Sequence, residues 1–386
     1  MDMPENVRVL NTVVITLSDT IDTLCFYAMF TPDCSFAGGI ASLRFFIGTY
    51  TNSGGRGIYT SRFNAEQGTL EEPSLAAECD NSTFIALHPT KPYLYAIGKF
   101  PTGMLRAFHY DKRNGHLVPL CEQEIPGQGP CHLTLCLSED GKTDVAVVAN
   151  YGSGSVVSFP VLDNGTIGVA ASHLTHTGSG PNHARQQAPH VHGVYYDGST
   201  VAVVDLGIDR VVYYRLDLVT AGLSPSGERA DLRLAPGAGP RHLAVSKDQR
   251  FIYVVNELDS TVSVFDRFAP IQSISTLPVD ASVVNNFPAE IELHPNGRFL
   301  YVSNRGDDSI AVFAVDQGKL TLIQTVPSGG QTPRFFCLDP TARFLLACNQ
   351  DSGNICVLAV DQNTGKLSPT GQNVPVPQPA CLVFAP

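Results

Sequence analysis

The stretch from Gly239 to Phe265 reads GPRHLAVSKDQRFIYVVNELDSTVSVF. Arg241 opens the first apolar run and Glu257 closes the second, with a polar turn between them. Two antiparallel strands joined by that turn bring both residues to one end of the hairpin. A guanidinium can stabilise an oxyanion and a carboxylate can move a proton, so the pair is a candidate site. Comparable positions elsewhere in the chain also carry polar groups of varied type. Strand starts hold Cys131-His132, His190-Val191-His192, Ala289-Glu290 and Arg334-Phe335. Strand ends hold Thr49-Tyr50, Gly98-Lys99, Asn150-Tyr151, Asp205, Asn304-Arg305 and Asn349-Gln350. The collected set is His190, His192, Arg241, Arg305 and Arg334 against Glu257, Glu290 and Asp205, with Arg185 and Gln186 added by the upstream NHARQQ segment. Several cations on one face of a chain of net charge −11 predict an anionic small-molecule substrate, a phosphate or carboxylate held by guanidinium forks.

The turns at the opposite end of the same hairpins are SKDQR, HPNGR, DPTAR, HPTKP and SEDGK. They are interchangeable, so Arg250, Arg298 and Arg343 within them, and His88 and His294 ahead of the turn prolines, read as structural.

The elements that position these residues form a repeat. Runs rich in Val, Ile, Phe and Tyr alternate with turns rich in Asn, Asp, Gly and Pro, and no long helical period occurs. A proline stands ahead of the first strand of each unit at 130, 189, 240, 288, 333 and 379, at intervals of 59, 51, 48, 45 and 46 residues. One more unit precedes these, from near Asn81. Four short strands every 45–50 residues predict β-propeller blades. After Pro379 only ACLVFAP remains, one strand, whereas FFIGTYTNSGGRGIYTSRFNAEQGTL and PSLAAEC supply three. Together they make a seventh, composite blade that closes the ring and removes the open edge. The expected fold is therefore all-β, a seven-bladed propeller over residues 44–386, with residues 1–43 an extension outside the repeats. The chain has no Trp, which removes the tryptophan–aspartate repeat class.

Composition narrows function further. The pI of about 5.4 argues against general nucleic-acid or anionic-membrane partners. Ten cysteines without a C-x-x-C pair, several inside apolar runs, predict buried thiols and a cytoplasmic location. No apolar run reaches the ~18 residues of a membrane span. No G-x-S-x-G nucleophile elbow is present, so no acyl-enzyme is expected. The H-x-H of PHVH has no evident third ligand, so neither a metal nor another cofactor is expected. A monomer or simple homo-oligomer is expected.

RQQAPHVH, VAVVDLGIDRVVYYRLD, GPRHLAVSKDQRFIYVVNEL and HPNGRFLYVSNRGDDSIAVF, with FFIGTYTNSGGRGIY near the start, resemble the seven-bladed propeller lactonases. That family groups 6-phosphogluconolactonases with 3-carboxy-cis,cis-muconate lactonizing enzymes, and the resemblance covers residues 44–386. It implies hydrolysis of a lactone ester, with the alternatives of carboxymuconate cycloisomerisation or a non-catalytic binding platform on the same scaffold. It implies catalytic roles for Arg241, Glu257 and a histidine of PHVH, His190 or His192. His190 is favoured as the strand-start counterpart of Arg241. Arg334, and less directly Arg305, completes the constellation. His192, Arg185, Gln186, Arg334, Arg305, Asp205 and Glu290 are then the expected substrate-binding set.

Overall fold

The computed structural model describes residues 42–52, 54–98, 102–138, 143–282 and 285–386. Residues 1–41 of the expected extension, Lys99 and most of the SEDGK turn fall outside these residues, while Leu43, expected in the extension, already pairs with Phe63 in the composite blade.

Seven antiparallel sheets are arranged as blades. Six are continuous in sequence: 84–124, 130–175, 191–225 with a further short strand at Leu232–Arg233, 240–275, 287–327 and 333–375. The seventh is composite, as the sequence predicts. Pro379–Phe384 pairs with Leu43–Thr49, which pairs with Gly57–Asn64. Its outer strand is broken into Thr69–Leu70 and Ser74–Glu78. The first strands of neighbouring blades lie against one another all the way round, so they line a central axis. Among the described residues no helix is long and apolar enough to cross a membrane.

Each blade is covered on both faces by its neighbours, so the second strands are apolar throughout rather than alternating. Asp144–Asn150, DVAVVAN, is buried at every position. The outer strand Leu117–Glu124 has one face on solvent and is largely exposed. The apolar side chains gather in seven clusters, each between two adjacent blades. Two of these join the composite blade to the sixth and to the first, so ring closure is itself core packing. Phe45 meets Phe384 and Ile47 meets Leu382 across the closing ladder.

The recurrent glycine of the outer turns has a packing reason. Gly365, at φ 71°, sits under the Phe299 ring of the preceding blade, where a Cβ would come within 2.2 Å of the ring. The neighbouring Tyr301 hydroxyl donates to the Gly365 carbonyl at 3.0 Å. The turns at the far end are structural, as expected. His294 Nε2 donates to the Ala342 carbonyl, Arg250 pairs with Asp266, and the Arg250 and Arg298 guanidinia cover Phe251 and Phe299.

Closure predicts a stability effect. Leu382 is 3% exposed in the cluster between blades six and seven. Leu382→Ala is expected to cost about 2–5 kcal/mol in chemical denaturation. Truncation after Gln378 is expected to give aggregated protein through the freed edge of Leu43–Thr49. A truncated chain that stays monomeric with an unchanged denaturation midpoint would refute the closure.

Candidate active site at the end of the central channel

One irregularity recurs in the ladder between first and second strands. Pro240 pairs with Asn256 and His242 with Val255, leaving Arg241 over as a bulge. The same slip leaves over Cys131, His192, Arg334 and Ala380, and in the fifth blade Ala289 and Glu290 face Ser303 alone. A bulge re-aims its extra residue, and here the repetition places such residues from six of the seven blades around the same end of the axis, the first blade showing no slip between its first two strands.

The second strand ends in a different device. Asn150, Asn256, Asn304 and Asn349 are fully buried. Their amides tie down the adjoining turn, as Asn256 does to the hydroxyls of Thr261 and Ser263. These strand-end residues are structural. The residue that follows, Tyr151, Glu257 or Arg305, reaches the cavity.

That cavity has a volume of about 290 Å³, near the lower end for small-ligand sites. Cys131, Tyr151, Arg185, His192, Glu257, Arg305 and Arg334 line it. Glu257, 5% exposed, is its electrostatic hub. One carboxylate oxygen accepts from Arg185 at 2.6 Å and the other from Arg305 at 2.8 Å. Arg241 Nε lies 3.2 Å from the second oxygen, at ion-pair distance but out of line for a hydrogen bond. Burial alone would raise the Glu257 carboxyl, but Arg305, Arg241 and Arg185 outweigh it and hold it down at about 2. Arg241 is pushed down to about 10, by burial first and then by Arg305 and Arg334. Arg334 lies 5.5 Å over the Tyr50 ring and has no carboxylate partner among the described residues. His192 is held well below the ordinary histidine value by burial and then Arg241, so it is neutral, and its buried Nδ1 has no partner.

The structure thus brings together Arg241, Glu257, His192, Arg185, Arg305 and Arg334. It places four other predicted residues elsewhere. Ladder register makes His192, not His190, the counterpart of Arg241. His190 instead donates from Nδ1 to the Tyr151 carbonyl at 2.8 Å and stacks on the Tyr151 ring. Gln186 is buried and anchors its loop, donating to Leu206 O and Asp209 and accepting from Asn182 N. Asp205 is fully buried and accepts from His176, His190 N and Gly207 N. Glu290 lies outside the cavity lining, paired with His242. Tyr151 and Cys131 line the cavity but are absent from the predicted set. The signal for Tyr151 is its place after Asn150, equivalent to Glu257 after Asn256.

The Glu257 cluster makes a pH prediction. Its folded value of about 2 lies below the ordinary 4.5, so its contribution is complete above pH 4.5 and is lost as pH falls through about 2. Wild type is expected to exceed Glu257→Gln by about 3 kcal/mol at pH 7, a gap that closes between pH 4.5 and 2. Denaturant titrations of both proteins across that range measure it.

Residues 44–384 match the family described as "Lactonase, 7-bladed beta-propeller". A 6-phosphogluconolactonase of Bacillus subtilis is 39% identical over 350 residues, covering 88% of this chain and 97% of that one. A 6-phosphogluconolactonase of Formosa agariphila is 32% identical, covering 76% and 86%. The solved structure of a periplasmic gluconolactonase from Pseudomonas aeruginosa superposes with a TM-score of 0.82 at 30% identity, covering 89% of this chain and 99% of that one.

Proposed function

The chain belongs to the seven-bladed β-propeller lactonase family, and we propose that it is a 6-phosphogluconolactonase, hydrolysing the lactone to 6-phosphogluconate. The observation that carries the substrate class is the charge of the cavity. Three guanidinia, Arg185, Arg305 and Arg334, line it with a single carboxylate, and a fourth, Arg241, stands beside that carboxylate, inside a chain of net charge −11. The relatives' names supply the lactone, and the excess of cations supplies the reason for a phosphate on it.

The chemistry follows from where the charges sit. Water attacks the lactone carbonyl carbon as His192, neutral and at the cavity wall, accepts its proton. The carbonyl electron pair moves onto oxygen, where Arg241 stabilises it. Collapse of the tetrahedral intermediate breaks the bond to the ring oxygen, which takes the proton back from His192. The product acid then loses its proton to solvent. Glu257, held at about 2 by three guanidinia, is a poor proton acceptor at neutral pH. Its part is to fix Arg241, Arg305 and Arg185 in one array. Arg334, free of any carboxylate among the described residues and backed by Tyr50, takes the phosphate.

A cytoplasmic location belongs to the same reading. The eight described cysteines are all thiols, which suits a reducing compartment.

Two substrates test the assignment. Hydrolysis of 6-phosphogluconolactone and of unphosphorylated gluconolactone is measured with the spontaneous reaction subtracted. Arg334→Gln is expected to raise KM for the phosphorylated substrate about 10–100-fold, as loss of a charged hydrogen bond would. For gluconolactone the expected change is under about threefold, since that substrate lacks the phosphate. Equal losses on both substrates would remove Arg334 from the phosphate. Absence of wild-type activity on either lactone would overturn the reading.

A further inference from the structure

Beneath the bulged residues the channel is filled mainly by the residues that follow them, joined by Phe84 of the first blade, whose ladder has no bulge. Phe84, His132, His242, Glu290, Phe335 and Cys381 occupy this layer. Aromatic rings account for part of it. Phe84 lies 4.2 Å from the His132 ring, and His132 lies 4.9 Å from His242. A carboxylate in such a layer needs a partner. Both oxygens of Glu290 lie 3.1 Å from Nδ1 of His242. His242 in turn packs against Arg241, whose Nη1 is 3.4 Å from each imidazole nitrogen. The same Nη1 donates to the carbonyl of Ala289 at 2.6 Å. The fifth blade therefore grips Arg241 twice, through the Ala289 carbonyl and through the imidazole that Glu290 holds.

We propose that Glu290 and His242 are positioning residues for the Arg241 guanidinium: the Glu290 carboxylate fixes His242 as its Nδ1–H tautomer, and that ring and the Ala289 carbonyl together set where Arg241 meets the developing oxyanion. The proposal rests on the oxyanion role given to Arg241 above. Neither residue lines the cavity.

The surroundings of Glu290 make the device sensitive to pH. Arg241 and His242 face it from the fourth blade, His132 from the second, Tyr195 from the third, Arg334 and Cys337 from the sixth and Cys381 from the seventh. Glu292 follows on its own strand. Burial holds His132 and His242 well below the ordinary histidine value, so both are neutral. Burial pushes Glu290 up to about 7, against the pull of Arg241. Below that pH a protonated carboxyl donates to Nδ1 and the tautomer of His242 reverses. The arrangement is thus complete above pH 7 and lost as pH falls through it. Glu292, pushed by burial to about 8, accepts from Leu338 N and serves as a control of similar burial.

The test uses full-length Glu290→Gln, Glu292→Gln, Arg241→Lys and the Arg241→Lys/Glu290→Gln double variant on 6-phosphogluconolactone. Glu290→Gln is expected to lower kcat about tenfold or more with KM within about twofold, and to remove the acid limb near pH 7. Glu292→Gln is expected to keep both. In the Arg241→Lys background, adding Glu290→Gln is expected to change kcat less than about twofold, because the two act as one unit. Additive losses would overturn the positioning pair while leaving the role of Arg241 standing. Full activity in Arg241→Lys would remove the oxyanion role and the proposal with it. A rise in KM alone would make Glu290 a substrate contact instead. Nitrogen-15 spectra of the histidines give a readout without turnover. A single Nδ1–H form of His242 at pH 8 that is lost in Glu290→Gln supports the proposal, and an unchanged spectrum overturns it. Should Glu290→Gln fail to fold, Glu290→Asp, which keeps the charge but withdraws it from Nδ1, is expected to lower kcat to a similar degree; full activity there would overturn the proposal.

Discussion

The arrangement of the site depends on one carboxylate among four guanidinia. Two unit charges about 5 Å apart repel by roughly 3 kcal/mol at an effective dielectric near 20. Arg185, Arg241, Arg305 and Arg334 converge on one largely buried cavity, so this repulsion acts several times over. Glu257 offsets it by contacting three of the four at once. The contacts that let it do so also hold its carboxyl ionised far below neutrality. A group that holds the cations together so firmly has little affinity left for a proton. In the proposed mechanism charge compensation and proton transfer therefore fall to different side chains, with the neutral His192 on the cavity wall taking the second.

The scaffold lets this cluster vary by separating structural from functional positions that are adjacent in sequence. At the end of the second strand in four blades a buried Asn is committed to its turn, and in three of these the next residue, Tyr151, Glu257 or Arg305, faces the cavity. At the start of the first strand the ladder skips one residue. Because that residue is excluded from regular pairing, its identity is not constrained by the strand, and the chain uses Cys131, His192, Arg241, Ala289, Arg334 and Ala380 there. The small Ala289 is informative. Its side chain leaves room and its carbonyl receives Arg241, so one blade's blank position completes its neighbour's functional one.

Much of the fold is legible in the sequence because it is periodic. Turn residues, apolar runs and the unequal chain ends suffice to give seven blades and the composite closure. The site is legible at lower resolution. The Arg241–Glu257 pair follows from hairpin geometry alone, since strand start and strand end must coincide. The choice between His190 and His192 does not, because it depends on a bulge that leaves no compositional mark. The long connection before the third blade also brings its own Pro189, which shifts the apparent register by two residues. Gln186 and Asp205 have the residue types of a site, yet their polar atoms are consumed in holding that connection. Residue type shows what chemistry is available, whereas only packing shows whether a polar atom is already committed.

The charge balance of the cavity has a consequence for catalysis. Four guanidinia less one carboxylate leave +3. A phosphate monoester carries about −1.5 to −2 at neutral pH, so bound substrate leaves the site roughly one charge positive. Formation of the tetrahedral intermediate places one negative charge on the carbonyl oxygen and, in the proposed mechanism, the water's proton on His192, so the sum is unchanged while the new negative charge forms beside Arg241. The gain in the transition state is therefore local: the charge that develops lies against a guanidinium fixed before it forms, which is the condition under which binding energy accelerates a reaction. An unphosphorylated lactone would leave the full +3 at the same stage. In the proposed mechanism the phosphate, remote from the scissile bond, offsets most of that charge and so eases the transient protonation of His192 against the neighbouring guanidinia, contributing to turnover as well as to binding.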